Sequence, residues 1–248
     1  MIPKKIHYCW FGGGNKPASF ERCLESWKQT CPEYEIMEWN EENYLPYQNQ
    51  FVQDALRKRK YAFAADALRV AVLSSEGGVY LDTDMLLVAP LDSFLNYDFF
   101  TGYEVEGRAA YGCFGTIPKH PIIQQMNQFY ESHRFDSYSP PVITHTFKAI
   151  VNEEQLGAND HIAPPSVFYP LPYEKRGEDH EPYIQDDTVA VHLWDHSWKK
   201  REAPGFWGCL HNINSVAVDT VFYGYPTAYW KRYTKEFARK AYHQLIGR

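Results

Sequence analysis

The sequence holds no run of about 18 apolar residues, so it predicts no membrane-spanning helix. The N-terminal stretch MIPKKIHYCWFGGG carries too short an apolar run for a secretory signal. Cysteines number five, an odd count with no CxxC spacing, which argues against both a disulfide framework and structural zinc. A reducing cytoplasm fits that usage. A basic excess is also missing. The formal net charge is −6, which excludes a nucleic-acid binder relying on a positive surface. Neither GxxxxGK[ST] nor GxGxxG occurs, so Gly12-Gly13-Gly14 reads as a flexible turn and not as a phosphate loop. Internal repeats and low-complexity linkers are absent as well.

What is abundant is aromatic. Phe, Trp and Tyr make up 17% of the 248 residues, with 19 Tyr and 7 Trp. Most of these rings fill a core, and such rings also line carbohydrate or nucleotide pockets. Hydrophobic residues at 44% and charged residues at 23% exclude global disorder. The length suits one α/β domain with a modest appendage. Charge is unevenly spread. Residues 229–248 hold six Lys/Arg against Glu236 alone, so this tail is basic while residues 1–228 are strongly acidic. We divide the chain accordingly into a domain over 1–224 and a basic amphipathic helix over 225–248.

Lys5–Phe11 reads as a buried strand, Pro17 to Thr30 as a helix and Tyr34–Trp39 as a second strand. A strand–helix–strand opening points to a parallel α/β sheet. Residues 51–59 suggest a short exposed helix and 61–76 a strong one, ended by Gly77-Gly78. Strands follow at Val79–Asp82, Leu86–Val88, Phe99–Tyr103 and Ala110–Gly115. A helix starts on Pro121 and runs to His133. Residues 134–188 read as loops and short elements, Thr188–Trp194 as an apolar strand, and the tail from about Tyr225 as helical.

The chemistry concentrates in Gly77-Gly78-Val79-Tyr80-Leu81-Asp82-Thr83-Asp84. Strand alternation turns Val79 and Leu81 one way and Tyr80, Asp82 and Asp84 the other, if extended geometry persists. Paired carboxylates at the carboxyl end of an apolar strand are costly unless neutralised, and a divalent cation with oxygen ligands is the natural partner. That end of a parallel sheet is also where α/β proteins bind ligands. Asp66 and Arg69 lie on nearly one face of the preceding helix. They are either an internal ion pair or two contacts to a polar ligand. His7 reads as a hydrogen-bonded core histidine and Cys9 as a small buried hydrophobe.

Three ordered segments, IPKKIHYCWFG (2–12), FAADALR (63–69) and EGGVYLDTD (76–84), closely resemble glycosyltransferase family 32, and HLWDHSW (192–198) resembles that family's C-terminal His…Ser-Trp motif. The resemblance implies a GT-A type α/β nucleotide-binding sandwich on a mixed, mainly parallel sheet. It implies Mn²⁺- or Mg²⁺-dependent, retaining transfer from a nucleotide-sugar. By position it assigns Asp82, Asp84 and His192 to the metal. Asp66 and Arg69 fall to the sugar hydroxyls and sugar phosphate, and Asp82 and Tyr80 lie at the donor. Trp10 falls near the base, and Ser197, Trp198 and Lys199 at the diphosphate. Asp195 and His196 stand where the family often has small residues. Tyr103, Glu104, Tyr111, Gly112 and Gly115 fall where the acceptor-facing segment begins, although a structural role suits them equally.

The reading that follows is a cytoplasmic hexosyltransferase, peripheral to the inner face of the membrane, extending a cell-surface glycan or lipid-linked oligosaccharide from a UDP- or GDP-hexose. Two rivals remain open: a protein-glycosylating effector, and a nucleotide-sugar-binding protein without turnover.

Overall fold

In a computed structural model of the chain, the described residues are 1–137, 140–195 and, beyond these, 213, 217, 218, 220–222, 234, 235, 237–239 and 242. The chain forms two compact units, Met1–Asp195 and His196–Arg248. In the second unit all the described positions are helical.

The first unit is built in the order β1 (Lys5–Cys9), α1 (Ala18–Thr30), β2 (Glu35–Trp39), α2 (Gln50–Arg57), α3 (Tyr61–Glu76), β3 (Gly78–Leu81) and β4 (Met85–Leu87). There follow β5 (Phe99–Val105), β6 (Arg108–Thr116), α4 (Pro121–Ser132), α5 (Ile143–Thr146), β7 (Asp160–Ala163), α6 (Pro165–Phe168) and β8 (Ala190–His192). Six strands make one sheet in the order β2-β1-β3-β6-β5-β7. Strands β1, β2 and β3 are mutually parallel, β6 runs antiparallel to β3 and β5, and β7 is parallel to β5. This is the mixed, mainly parallel sheet expected of a GT-A domain. Strands β4 and β8 pair separately.

Two core layers sandwich the sheet, and strand alternation assigns residues to them. Ile6, Tyr8, Val79 and Leu81 join one layer; Cys9, Tyr80 and Phe114 join the other. Helix α1 closes the first layer with Phe20, Cys23 and Trp27, spaced to share one helix face. The Trp27 indole N–H also donates to the Met85 carbonyl at 2.7 Å, tying α1 to β4. Helix α3 is buried along most of its length because it lies between the sheet, α2 and α4. Its Ala-rich composition allows that close approach.

The expected elements over residues 5–133 are present within a few residues, except that the helix expected to be exposed, α2, is buried along one side at Phe51, Val52, Asp54 and Ala55; the expected C-terminal strand shortens to β8. Residues 134–188 form mostly turns and short helices, with one exception: Asp160–Ala163 adds an edge strand to the main sheet. His7 is indeed a core residue. Its Nδ1 accepts from Trp39 Nε1 at 3.2 Å and its Nε2 lies 3.0 Å from the Gly77 carbonyl, which fixes the proton on Nε2. Gly78 lies beneath it at φ +102°, where a Cβ would come within 2.8 Å of His7 Nε2.

Burial holds His7 neutral and lowers its pKa from 6.5 to about 4, against the favourable Gly77 contact. A depressed histidine binds fewer protons folded than unfolded between those values. Its stabilising contribution is therefore present above pH 6.5 and is lost as pH falls toward 4. The expected loss is about 3 kcal/mol over that window. Urea unfolding at pH 7 and pH 4.5 measures it. A His7→Gln chain should lose much less stability between the two pH values than the natural chain, and equal losses would contradict the assignment.

Candidate active site

Strand β3 ends at Leu81, and the chain turns through Asp82, Thr83 and Asp84 before β4. Extended geometry therefore does not persist to Asp84, as simple alternation assumed. A turn brings the two carboxylates together instead. Met85 N–H closes it on the Asp82 carbonyl at 3.0 Å, and Asp82 N–H donates to the Gly112 carbonyl of β6 at 2.7 Å.

Arg69 reaches this turn from α3. Its Nη2 lies 3.0 Å from Asp66 Oδ1 and 3.0 Å from Asp82 Oδ1. Its Nη1 donates to the Tyr111 carbonyl at 2.8 Å, its Nε to the Ala65 carbonyl at 3.3 Å, and its guanidinium lies 4.2 Å from the Tyr80 ring centroid. A planar fork of donors on a ring is a geometry that lysine cannot reproduce. Asp66 and Arg69 are thus an ion pair, with Asp82 as a third member. The structure brings Asp66, Arg69 and Asp82 together, and the Tyr80 ring lies buried under Arg69.

Asp84 is gripped by the last residue of β8 and the segment that follows it. His192 Nε2 lies 3.1 Å from Asp84 Oδ1, Asp195 N–H donates to Asp84 Oδ2 at 3.1 Å, and Leu193 N–H donates to the Asp84 carbonyl at 2.9 Å. The two carboxylates accordingly titrate in opposite directions. Burial pushes Asp82 up, reinforced by the Asp84 charge and resisted by Arg69. Burial also works against ionisation of Asp84, yet His192 and the hydrogen bonds prevail and hold it below the usual range. Asp66 is pushed by burial to about 6 despite Arg69. His192 is raised because the Asp84 and Asp82 charges outweigh its burial.

Asp82, Asp84 and His192 each present one ligand atom, all within 4.8 Å of one another. Two carboxylate oxygens and one imidazole nitrogen suit a hard to borderline divalent cation. His192 Nε2 is the nitrogen turned to Asp84, while its Nδ1 is buried with no hydrogen-bond partner among the described residues. The residues fit the metal that the sequence implied.

Trp10 is half-buried at the end of β1. It stacks on Phe20 with rings 5.5 Å apart, and its indole N–H donates to the Gly14 carbonyl at 3.0 Å. It makes no direct contact with the carboxylates among the described interactions. Ser197, Trp198 and Lys199 lie outside the described residues. Of the segment after the turn, Tyr111 and Gly112 reach the site through backbone, Glu104 pairs with Arg108 and Tyr103 with Glu153, and Gly115 packs on Phe100. Sequence reasoning missed Tyr169, whose ring centroid is 5.8 Å from that of His192 and whose hydroxyl accepts from Cys113 N–H of β6 at 3.0 Å. No spacing rule marks it. It also missed the Asp195 N–H, a backbone donor that no side-chain pattern reveals.

Residues 17–101 match the glycosyltransferase sugar-binding region containing a DXD motif, and residues 118–204 match the alpha 1,4-glycosyltransferase conserved region. The chain is a glycosyltransferase, and its resemblance to family 32 holds. It is 25% identical to the uncharacterized glycosyltransferase L373 of Acanthamoeba polyphaga mimivirus over 80% of this chain and 84% of that protein. It is 25% identical to human alpha-1,4-N-acetylglucosaminyltransferase over 54% of this chain and 42% of that protein. With the yeast mannosyl phosphorylinositol ceramide synthase SUR1 it shares 29% identity over 49% of this chain and 33% of that protein. The chain thus spans less than half of the human and yeast relatives. Among solved structures, PaToxG glycosyltransferase superposes with a TM-score of 0.45 at 20% identity, covering 60% of this chain and 69% of that one. Galactosyltransferase LgtC superposes at 0.43 and 13% identity, covering 79% and 90%.

Arg69 gives the site a stability signature. Removing it strands two partly buried carboxylates, which typically costs about 3–5 kcal/mol. Arg69→Ala is expected to show that loss in urea unfolding, with Asp66→Asn/Arg69→Ala losing less. A loss below about 1 kcal/mol would mean the pair is not the tie described.

Proposed function

We propose that the chain transfers a hexose from a UDP- or GDP-sugar to a cell-surface glycan or lipid-linked oligosaccharide, with retention and with a divalent cation, Mn²⁺ or Mg²⁺. The observation that carries this reading is the convergence of Asp82, Asp84 and His192 within 4.8 Å beside the Arg69 ion pair. A bound cation supplies electrostatic stabilisation for negative charge on a departing diphosphate. The protein's part is preorganisation. Asp84 is aimed by His192 and Asp195 N–H, and Asp82 by Arg69 and Gly112. Asp66 gives Oδ1 to Arg69, and we assign its Oδ2 to donor-sugar hydroxyls. The carboxylates also face the positive charge that develops at the sugar ring. Trp10 is assigned to the base, with Ser197, Trp198 and Lys199 at the diphosphate.

The test is metal-dependent turnover. Asp84→Ala should remain folded and lose at least about 10²-fold in turnover, as expected for loss of one preorganised electrostatic group. Natural-chain activity should vanish with chelator and return with Mn²⁺. Screening UDP- and GDP-sugars by thermal shift and by nucleotide release without acceptor identifies the donor. Full activity in excess chelator would overturn the metal reading, and donor binding without any turnover would favour a binding protein.

The tail completes the proposal. Trp230, Tyr233, Phe237, Ala241 and Leu245 recur at helical spacing, with Lys231, Arg232, Lys235, Arg239 and Lys240 around them. Of the described tail residues, Lys235, Arg239 and Tyr242 are helical and exposed. No helix of the described residues is long and apolar enough to cross a membrane. Peripheral attachment to an anionic leaflet would confine the enzyme to the surface that holds a lipid-linked acceptor. Each basic residue near such a surface adds roughly 1 kcal/mol, lost as salt rises. The chain should float with anionic vesicles at low salt and not with neutral ones, and replacing those five Lys/Arg by Gln should abolish flotation. Equal behaviour of the two chains would remove the membrane from the proposal.

A further inference from the structure

Three consecutive residues of β6 tie the site together through backbone. The Tyr111 carbonyl accepts from Arg69 Nη1 at 2.8 Å, the Gly112 carbonyl accepts from Asp82 N–H at 2.7 Å, and Cys113 N–H donates to the Tyr169 hydroxyl at 3.0 Å. Strand alternation breaks at the middle residue. Tyr111 and Cys113 are two apart, yet they lie in different core layers, and the β5–β6 pairing shifts register between Phe100 and Gly102. Such irregularities re-aim a strand beside a site.

Gly112 is not required by backbone conformation, since it is not among the glycines with positive φ. Its missing side chain needs another reason, and the neighbours supply one. A Cβ there would lie 3.0 Å from Asp82 Oδ2, 3.3 Å from the Tyr169 hydroxyl and 3.5 Å from Met85 Sδ. Asp82 Oδ1 is already held by Arg69, so the carboxylate yields to a methyl group only by loosening that pair.

We propose that Gly112 is a positioning residue for Asp82. Its bare Cα lets one carboxylate oxygen stay on Arg69 while the other remains open to ligand. This rests on the role proposed above for Asp82 at the cation and donor sugar. A side chain at 112 therefore acts on the ligand side of Asp82 before it acts on the core.

Gly112→Ala tests this, with Mn²⁺ affinity read by titration calorimetry in the presence of UDP, alongside turnover and the thermal midpoint. Mn²⁺ affinity should weaken by about tenfold, the usual consequence of disturbing a group that orients a metal ligand. Gly102→Ala is the packing control. Its Cβ would come within 2.7 Å of Phe168 Cδ2, in the core, and make only ordinary contact with Tyr169 Cε2 at 3.4 Å, so it should lower the thermal midpoint and leave the Mn²⁺ affinity unchanged. If Gly112→Ala destabilises the chain, the midpoint should recover when Asp82→Ala removes the carboxylate that the methyl meets. Natural Mn²⁺ affinity in Gly112→Ala, or the same midpoint loss with and without the Asp82 carboxylate, would overturn the inference. A natural chain that binds Mn²⁺ and transfers no sugar would overturn the transferase reading alone, leaving the affinity comparison to decide Gly112. A natural chain that binds no cation would overturn both.

Discussion

The site depends on one buried cation. Arg69 is 5% exposed and lies between Asp66 and Asp82, above Tyr80, with the Tyr111 carbonyl completing its contacts. A guanidinium in that position is held well above its ordinary pKa, with the Asp82 charge offsetting its burial, and stays ionised. Its geometry therefore fixes three elements at once: α3 that carries it, the turn after β3, and β6. An alternative packing of α3 would strand the charge, so the ion pair specifies register where apolar contacts alone are tolerant. Apolar burial supplies most of the stability around it, since α3 contributes Ala64, Ala67, Leu68, Val70 and Val72 to one continuous core layer.

Much of this was readable from residue order. An Ala-rich helix ending in two glycines, an apolar strand and then Asp-x-Asp set α3, β3 and the carboxylate turn in sequence, and helical spacing placed Asp66 near Arg69. Strand β7 escaped because Asp160–Ala163 is short, half polar and set among proline-rich turns, as suits an edge strand covered on one side. The Asp82–Asp84 geometry escaped for a different reason. Alternation describes a strand, and pairing with β6 stops at Leu81, so the turn and not the pleat decides where Asp84 goes. The grip on Asp84 comes from residues more than a hundred positions away, and two of its three contacts are backbone N–H groups whose identity no side chain encodes.

Two carboxylates two residues apart therefore differ in kind. Asp84 accepts from His192 and Asp195 N–H through its two oxygens, which favours the ionised form. Asp82 shares one cation with Asp66 and faces the neighbouring Asp84 charge in a buried setting, which disfavours ionisation. A divalent cation near both would offset the burial and the Asp84 repulsion that together raise Asp82, and would compete with His192 for Asp84. The site is thus incomplete in charge and nearly complete in geometry, the condition in which a ligand adds electrostatic stabilisation without much reorganisation.

That balance also explains why small residues gather at β6. Each backbone carbonyl there is committed, Tyr111 to Arg69 and Gly112 to Asp82, and the strand can approach the turn closely because position 112 carries no side chain. The cost is a break in alternation that buries Tyr111 and Cys113 on opposite sides of the sheet. Aromatic packing absorbs it. The Tyr111 ring meets Phe114 and Phe147 edge-on, and the Tyr169 hydroxyl takes up the Cys113 N–H that the irregular strand leaves unpaired. The aromatic excess of the sequence therefore serves the core and the site together: rings fill the space around a strand whose backbone is occupied with holding Arg69 and Asp82.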